Sequence, residues 1–410
     1  MKFKHKKKLL IMIILFAIVS TNSSIIPSNQ GSASSNQMIQ NIAIILDSSE
    51  FYDSDFIDDV LNGFDQVNQT YNINYTVFRL ANYTSPPIPF EKTVINRYPY
   101  KAFYTIDGYQ TNHTQLATEL ISTEQYDMIV FMGYELRREK KEYFLPSQYN
   151  DTKFLFYDLS GEIPSHPGAS LGDNVAVISF NETQAGFIAG TLAAVTISPQ
   201  PQKVAMIGTY RNSRDVFDPK PDPRSGQLML GFQSGFLRKN ADVTFLISYI
   251  DYYWGSWTSY TKAKALAQDL DDQGYELIFS ALQNNNTLGI IDGFTKSVVA
   301  VDSNLVQRVA KNNTKVIMAM FEAFNKSQNG FLPGVFSFDL ADNVFYPNGW
   351  DDSELVNQAM GEIYTDVVIN KIPIGTEIKH AENTPGFSII AIFGLILSIP
   401  ISRRLIRNKS

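Results

Sequence analysis

Asp47 is the residue in this chain best placed by its surroundings to meet a ligand. It closes an apolar run in which Ile42, Ile44, Ile45 and Leu46 are the residues of a strand buried on both faces. Ser48, Ser49 and Glu50 then make a polar loop. Asp53, Ser54 or Asp55 caps a helix on which Phe56, Val60, Leu61, Phe64 and Val67 recur at helical spacing. Strand, polar loop and capped helix form the first unit of an open α/β sheet, and such sheets bind ligands beyond the carboxyl ends of their strands. A carboxylate there accepts hydrogen bonds from a polar ligand. It can equally cap a turn, and the stretch alone leaves both readings open.

Residues spaced for covalent or metal chemistry are missing from the pattern. The four histidines, His5, His113, His166 and His380, are far apart and form no metal-binding pair. There is no phosphate loop. The acid pairs Asp58-Asp59, Asp271-Asp272 and Asp351-Asp352 fit solvated helix ends better than a general acid and base. The sequence has no cysteine, which removes disulfides, thiolate metal sites, a Cys nucleophile and a lipidated N-terminal Cys. No catalytic residue, metal or cofactor is expected, and the chain reads as a binding protein rather than an enzyme.

Composition agrees. With 44% hydrophobic and 18% charged residues over 410 positions, the chain is globular and long enough for two cores. A net charge of −7 supplies no basic stripe for phosphates, which argues against a nucleic-acid partner. The basic residues gather at the two ends. MKFKHKKK followed by LLIMIILFAIVS has the charged and apolar regions of a secretory signal, placed at 1–24, and the Ser-, Asn- and Gln-rich residues up to 40 read as a flexible leader.

At the other end, an apolar stretch from Phe387 to Ile401 precedes Arg403, Arg404 and Arg407. It reads as a C-terminal membrane anchor or sorting tail over 385–402, with a basic cytoplasmic tail at 403–410. Pro385, Gly386 and Phe387 resemble the Pro-Gly-Phe sorting tails of archaeal surface proteins; a plain transmembrane helix would give the same location. Asn-x-Ser/Thr triplets at Asn68, Asn74, Asn82, Asn112, Asn150, Asn181, Asn285, Asn312 and Asn325 suit an outside location and a glycoprotein.

Between these ends, strands alternate with helices, the mark of doubly wound parallel sheets. Strands are expected at Ile73–Phe78, Asp127–Met132, Lys153–Tyr157, Asn174–Phe180, Lys203–Ile207, Val243–Ile250, Glu276–Leu282 and Val298–Val301. Helices are expected over 113–125, 182–195 and 355–370, and Lys315–Phe321 reads as a hinge strand. Residues 81–112, rich in proline and tyrosine, read as an insertion. The loop Gly161–Gly172 is expected to mark the crossing between domains. The first lobe then spans 41–165 with a contribution from about 315–332, and the second spans 166–314 with a contribution from about 333–380. The loop after Gly208 reads as a solvated connection or as a flap over a cleft.

In this order the chain resembles the basic membrane protein family of substrate-binding proteins, which includes nucleoside receptors of ABC importers. Asp47, Asp53, Phe56 and Gly63 keep the spacing of the family's opening motif. FNETQAGFIAGTLAA from Phe180, KVAMIG, Gly231 to Gly235, Gly255 to Trp257 and Ala300 to Asn304 follow in the family's order. The resemblance implies a type I periplasmic-binding-protein fold: two doubly wound parallel-sheet lobes, three hinge crossings and a cleft between them. It implies a small-molecule ligand, and ABC permease and ATPase subunits as partners.

It also implies roles for particular residues. Asp47 matches a base-contacting Asp, Tyr134 an aromatic ring that stacks on the base, and Asp302 an Asp that holds the ribose hydroxyls. Aromatic faces do bind planar rings, and a buried carboxylate accepts two hydroxyls well. Trp254 and Trp257 would add a stacking wall, or simply pack.

Three departures from the family pattern bear on the ligand. Ile57 replaces an Asn that would bond a base edge, and Gln283 to Asn286, with Asn284, replaces a Gly-rich loop. Glu322 stands where a Lys near the hinge is expected. A site holding Asp47, Asp302 and Glu322 would repel anions. A nucleoside-like solute is therefore the first expectation, a cationic or other polar solute the second, and a surface sensor of the same fold an alternative to an importer subunit.

Overall fold

The structure, a computed structural model, describes residues 39–46, 54–79, 113–123, 125–132, 145–158, 172–208, 210–211, 220–221, 223–250, 260–282, 284–301, 303–350, 353–372 and 374. In chain order the elements are β1 (Asn41–Leu46), α1 (Ser54–Tyr71), β2 (Asn74–Arg79), α2 (His113–Ser122), β3 (Met128–Met132), α3 (Leu145–Gln148), β4 (Lys153–Tyr157) and β5 (Val175–Phe180). Next come α4 (Glu182–Thr196), β6 (Lys203–Gly208), β7 (Tyr210–Arg211), β8 (Lys220–Pro221), α5 (Pro223–Lys239), β9 (Thr244–Tyr249), α6 (Tyr260–Asp272) and β10 (Leu277–Ser280). The last are α7 (Asn284–Gly293), β11 (Ser297–Val301), β12 (Gln307–Lys311), α8 (Asn313–Lys326), β13 (Gly334–Phe338), a 3-10 turn (Leu340–Asp342), β14 (Phe345–Asn348), α9 (Ser353–Tyr364) and a π-helical turn (Thr365–Ile369).

Two six-stranded sheets result. The first has the order β13-β5-β4-β3-β1-β2 and is parallel throughout. The second has the order β14-β12-β11-β10-β6-β9 and is parallel except for β14. Parallel sheets need cover on both faces, and the strands meet that need with alternating side chains that are apolar on each side. Ile42, Ile44 and Leu46 of β1 join one cluster with α1 and α8, while Ala43 and Ile45 join another with Leu116, Ala117 and Leu120 of α2. In the second sheet, Val204 and Met206 face Phe232 and Phe236, while Ala205 and Ile207 face Ala263, Ala267 and Ile290. Each large apolar side chain so buried contributes roughly 1.5–3 kcal/mol.

Glycine sets the closest helix contacts. On α4, a Cβ at Gly186 would lie 2.1 Å from the Leu228 carbonyl oxygen, and one at Gly190 would lie 2.0 Å from that of Phe232. The facing glycines on α5 mirror this, with Gly231 against Thr183 and Gly235 against Phe187. Two Gly-x-x-x-Gly faces therefore pack backbone to backbone. Gly289 and Gly293 of α7 approach the Tyr260 and Lys264 carbonyls of α6 in the same way.

Several expectations change. Asn174–Phe180 does not open the second lobe: β5 pairs with β4 and β13, so it completes the first sheet, beyond the loop expected to hold the crossing. β13, expected in the second lobe, also lies in the first sheet. Lys315–Phe321 is not a strand but the middle of α8. Val316, Ile317, Met320, Phe321 and Phe324 recur at helical spacing, and Asn312 caps the helix by accepting from the Lys315 N–H. Gln283–Asn286 is not a loop throughout, because α7 starts at Asn284. The expected final helix ends at Tyr364 and continues as the π-helical turn.

Candidate functional site

Three chain crossings join the sheets, and they lie side by side. The first leaves β5 and enters α4, which packs on α5. The second leaves β12 and enters α8, which packs on α1. The third runs from β13 through the 3-10 turn to β14. Backbone bonds tie them together: Asn181 N–H donates to the Phe338 carbonyl at 2.9 Å, and Asn312 N–H to that of Val344 at 2.7 Å. The Leu340 N–H donates to Gln184 Oε1 at 2.7 Å, and Phe180 packs its ring against those of Phe338 and Phe345.

At this junction sits a charged cluster of two carboxylates and two cations. Lys311, the last residue of β12, places Nζ 2.8 Å from Glu182 Oε1 and 3.4 Å from Asp158 Oδ1. Arg224, in the first turn of α5, brings Nε to 3.1 Å from Glu182 Oε1 and Nη1 to 3.2 Å from Asp158 Oδ2. The Lys311 and Glu182 side chains are 0% and 1% exposed, so neither charge could persist there alone. Lys311 Nζ also lies 4.5 Å from the centre of the Phe180 ring, a cation–π contact. Asp158 follows β4 at φ 57°, a left-handed conformation that Asp tolerates better than most residues and that is common where side chains are re-aimed at functional sites. Glu182 Oε2 is buried and accepts no hydrogen bond among the described residues.

Neighbouring bonds stiffen the junction. Tyr157 donates its hydroxyl to Asn313 Oδ1 at 2.8 Å, and Asp59 accepts from the Asn313 N–H at 2.6 Å and from the Thr314 hydroxyl. The cluster therefore brings together the carboxyl ends of β4 and β12, one from each sheet. With its four charges paired, it can hold the sheets in one relative orientation rather than act as an acid or base.

The expected ligand residues are placed less completely. Asp47, Asp53, Tyr134, Trp254, Trp257 and Asp302 lie outside the described residues, as do the signal, the leader up to residue 38 and the C-terminal tail. Asn284 opens α7. Phe56 is buried in the first core, its ring centre 5.9 Å from that of Tyr157. Glu322 is on the outer face of α8, 57% exposed and bonded to Lys326 one turn on. A buried lysine, Lys311, does stand at the crossings, and Glu322 is not part of that cluster. Asp158, Glu182, Arg224 and Lys311 were missed; the signal available was Asp158 directly after apolar β4 and Glu182 two residues after apolar β5. Among the described residues no group of histidines, cysteines or carboxylates could hold a metal ion, and no helix is long and apolar enough to cross a membrane.

A cavity of about 350 Å³ lies at the other end of the first sheet, where β1 and β2 begin. Asn41, Tyr71, Asn72, Asn74 and Asn325 are among its lining residues.

Two parallel sheets of this order, joined at three adjacent crossings, define a bilobal protein of the type I periplasmic-binding class. Residues 39–304 match the profile of the PnrA-like ABC transporter substrate-binding proteins, the Bmp family, and the chain belongs to that family. Solved structures similar to it include an ABC transporter solute-binding protein from Conexibacter woesei DSM 14684, at a TM-score of 0.54 and 12% identity over 82% of this chain and 98% of that one. Another, from Aeropyrum pernix K1, has a TM-score of 0.55 and 13% identity over 83% and 94%. A transcriptional activator of the comK gene from Bacillus halodurans has a TM-score of 0.54 and 14% identity over 81% and 99%. At these identities the likeness is one of fold. No curated protein matches the chain in sequence.

Proposed function

We propose that this chain is the extracytoplasmic, membrane-anchored solute-binding component of an ABC importer, holding a small polar, nucleoside-like solute between its lobes. The family match over residues 39–304 is the observation that carries this reading. The paired cluster at the hinge supports it, because two sheets meeting at their carboxyl ends bring the loops after their strands to a common side. Asp47 and Asp302 follow β1 and β11 and would accept hydrogen bonds from the solute, while Tyr134, Trp254 and Trp257 follow β3 and β9 and would supply ring faces. Lys311 and Arg224 are both paired with carboxylates, so among the described residues the hinge presents no spare cation to an anionic solute. A ligand that touches both lobes acts by favouring their closed arrangement. The apolar stretch from Phe387 to Ile401 would hold the chain at the membrane, next to a permease and its ATPase.

The test is a thermal-shift screen of the full chain in detergent against nucleosides, nucleobases, sugars, amino acids and polyamines. A ligand at about 100 times its Kd adds about 2.7 kcal/mol of stability. Nucleosides should raise Tm, and Asp302→Ala should abolish that rise with little change in the unliganded Tm. A rise with polyamines alone would overturn the nucleoside assignment.

A further inference from the structure

The Asn-x-Ser/Thr triplets whose asparagine side chains the structure describes divide into two sets by exposure. Asn74, Asn150 and Asn325 are exposed, and the Nδ2 of each donates to nothing among the described residues. Asn74 opens β2, Asn150 lies three residues before β4 begins, and Asn325 is in the last turn of α8. All three belong to the amino-terminal edge of the first sheet. Asn74 and Asn325 share the cavity there, whose described lining includes Gln40, Asn41, Asn72 and Tyr71 and, among the described residues, no charged side chain. The hinge cluster is at the opposite edge, roughly 15 Å away along β4 alone.

The other three are only partly exposed. Asn68 Nδ2 donates to the Ile73 carbonyl at 3.0 Å and to Asn74 Oδ1 at 3.5 Å. Asn181 and Asn312 cap α4 and α8 through Oδ1 and sit directly beside buried Glu182 and Lys311, at the crossings themselves. A sugar on either would occupy the junction on which the two sheets turn.

From this division we infer that Asn74, Asn150 and Asn325 carry N-linked glycans and that Asn68, Asn181 and Asn312 do not. The reaction requires a membrane transferase and a lipid-phosphate-activated oligosaccharide. Nδ2 attacks the anomeric carbon, the new N–C bond forms as the C–O bond to phosphate breaks, the lipid phosphate leaves, and one amide proton is lost to the transferase. The uncharged amides and the Tyr71 ring at the cavity suit the first sugars, which offer hydroxyls and apolar faces but no charge. Glycans at this edge would cover the first lobe while leaving the carboxyl-end side free. The inference rests on the extracytoplasmic reading above.

The experiment isolates the full chain from the membranes of its own host and maps glycopeptides by mass spectrometry. In parallel, intact cells are treated with a membrane-impermeant biotinylation reagent. The expected result is added mass on the peptides of Asn74, Asn150 and Asn325, none on those of Asn68, Asn181 and Asn312, and labelling from outside. Asn74→Gln, Asn150→Gln and Asn325→Gln should each remove one glycan mass and leave ligand-induced shifts in Tm unchanged. Bare peptides from a surface-labelled chain would overturn the inference while leaving the location standing. An unlabelled chain would overturn both, and glycans on Asn181 or Asn312 would overturn the selection by position.

Discussion

Arg224 Nη1 lies 3.2 Å from Asp158 Oδ2, and this contact joins the helix after the small β7–β8 ladder of the second lobe to the end of β4 in the first. Lys311 reaches the same carboxylate from β12. Asp158 is therefore where the first lobe is held by charges of the second. Asp158→Asn keeps the side chain's size and removes its charge. It should shift the unliganded protein toward a more open arrangement, read as a larger radius of gyration by small-angle X-ray scattering. An unchanged radius would mean that the contact holds nothing in place.

Lys311→Ala strands Glu182 beside a single remaining cation. Breaking a buried ion pair by removing one partner typically costs about 3–5 kcal/mol, because the other charge stays buried. Urea unfolding should show a loss of that order. The loss should be smaller for Arg224→Ala, whose side chain is 19% exposed and so better solvated. Equal losses would contradict this ranking by burial.

Gly190→Ala and Gly231→Ala place a methyl group about 2.0 Å from a backbone oxygen, a distance that side-chain rotation cannot relieve. Both variants should lose their cooperative thermal transition or express only as aggregate. Gly361, inside α9, has nothing within 4 Å of a built Cβ. Gly361→Ala should raise stability by about 0.4–1 kcal/mol through the unfolded chain's lower entropy. Tolerance of alanine at Gly190 would mean that α4 and α5 do not pack this closely.

The Glu276 carboxyl is held below its ordinary 4.5, first by the Gln202 N–H at 2.5 Å, against an opposing effect of burial, and then by the Lys203 N–H and the nearby Lys296 and Lys203 cations. Its folded pKa is thus lower than its unfolded one. The stabilisation is complete above the unfolded value and disappears as pH falls through the folded value. Glu276→Gln should lower Tm modestly at neutral pH, since the site is exposed, and the gap to wild type should close as pH falls through the lowered folded value. A gap that persisted into acid would assign the effect to shape rather than charge.

Asn174 aims Nδ2 at the carbonyls of Pro146, Tyr149 and Thr152, at 3.1, 3.0 and 3.0 Å. Asn174→Asp puts an acceptor where a donor is needed, in a buried place. It should destabilise more than Asn174→Ala, whose cost is about 1–3 kcal/mol, with the difference shrinking as the pH is lowered toward protonation of the new acid.

Much of the alternation was legible along the chain. The runs at β1, β3, β4, β6 and β10 are short, apolar and bounded by polar residues, which is how strands buried on both faces read. KVIMAMF in α8 misled because a locally continuous apolar run does not reveal its period. Only its place against Gly63, whose Cβ would meet Ile317 at 2.8 Å, shows a helix packed on α1. The short strands β12, β13 and β14 were not anticipated, since two of them are sheet edges with few buried side chains. Glu322 was expected near the hinge but lies on the exposed face of its helix, because spacing along a chain does not tell which side of a helix faces the junction.

The amino-acid sequence by itself determined an α/β protein of two sheets, its family resemblance, its charged and apolar ends and the absence of cysteine chemistry, because composition, periodicity and local spacing are properties of neighbours in the chain. Which strands share a sheet, where the chain crosses between lobes, and that Asp158, Glu182, Arg224 and Lys311 form one cluster were decided only by tertiary structure. Those contacts join residues up to 153 positions apart, and their strength comes from burial that no local pattern contains.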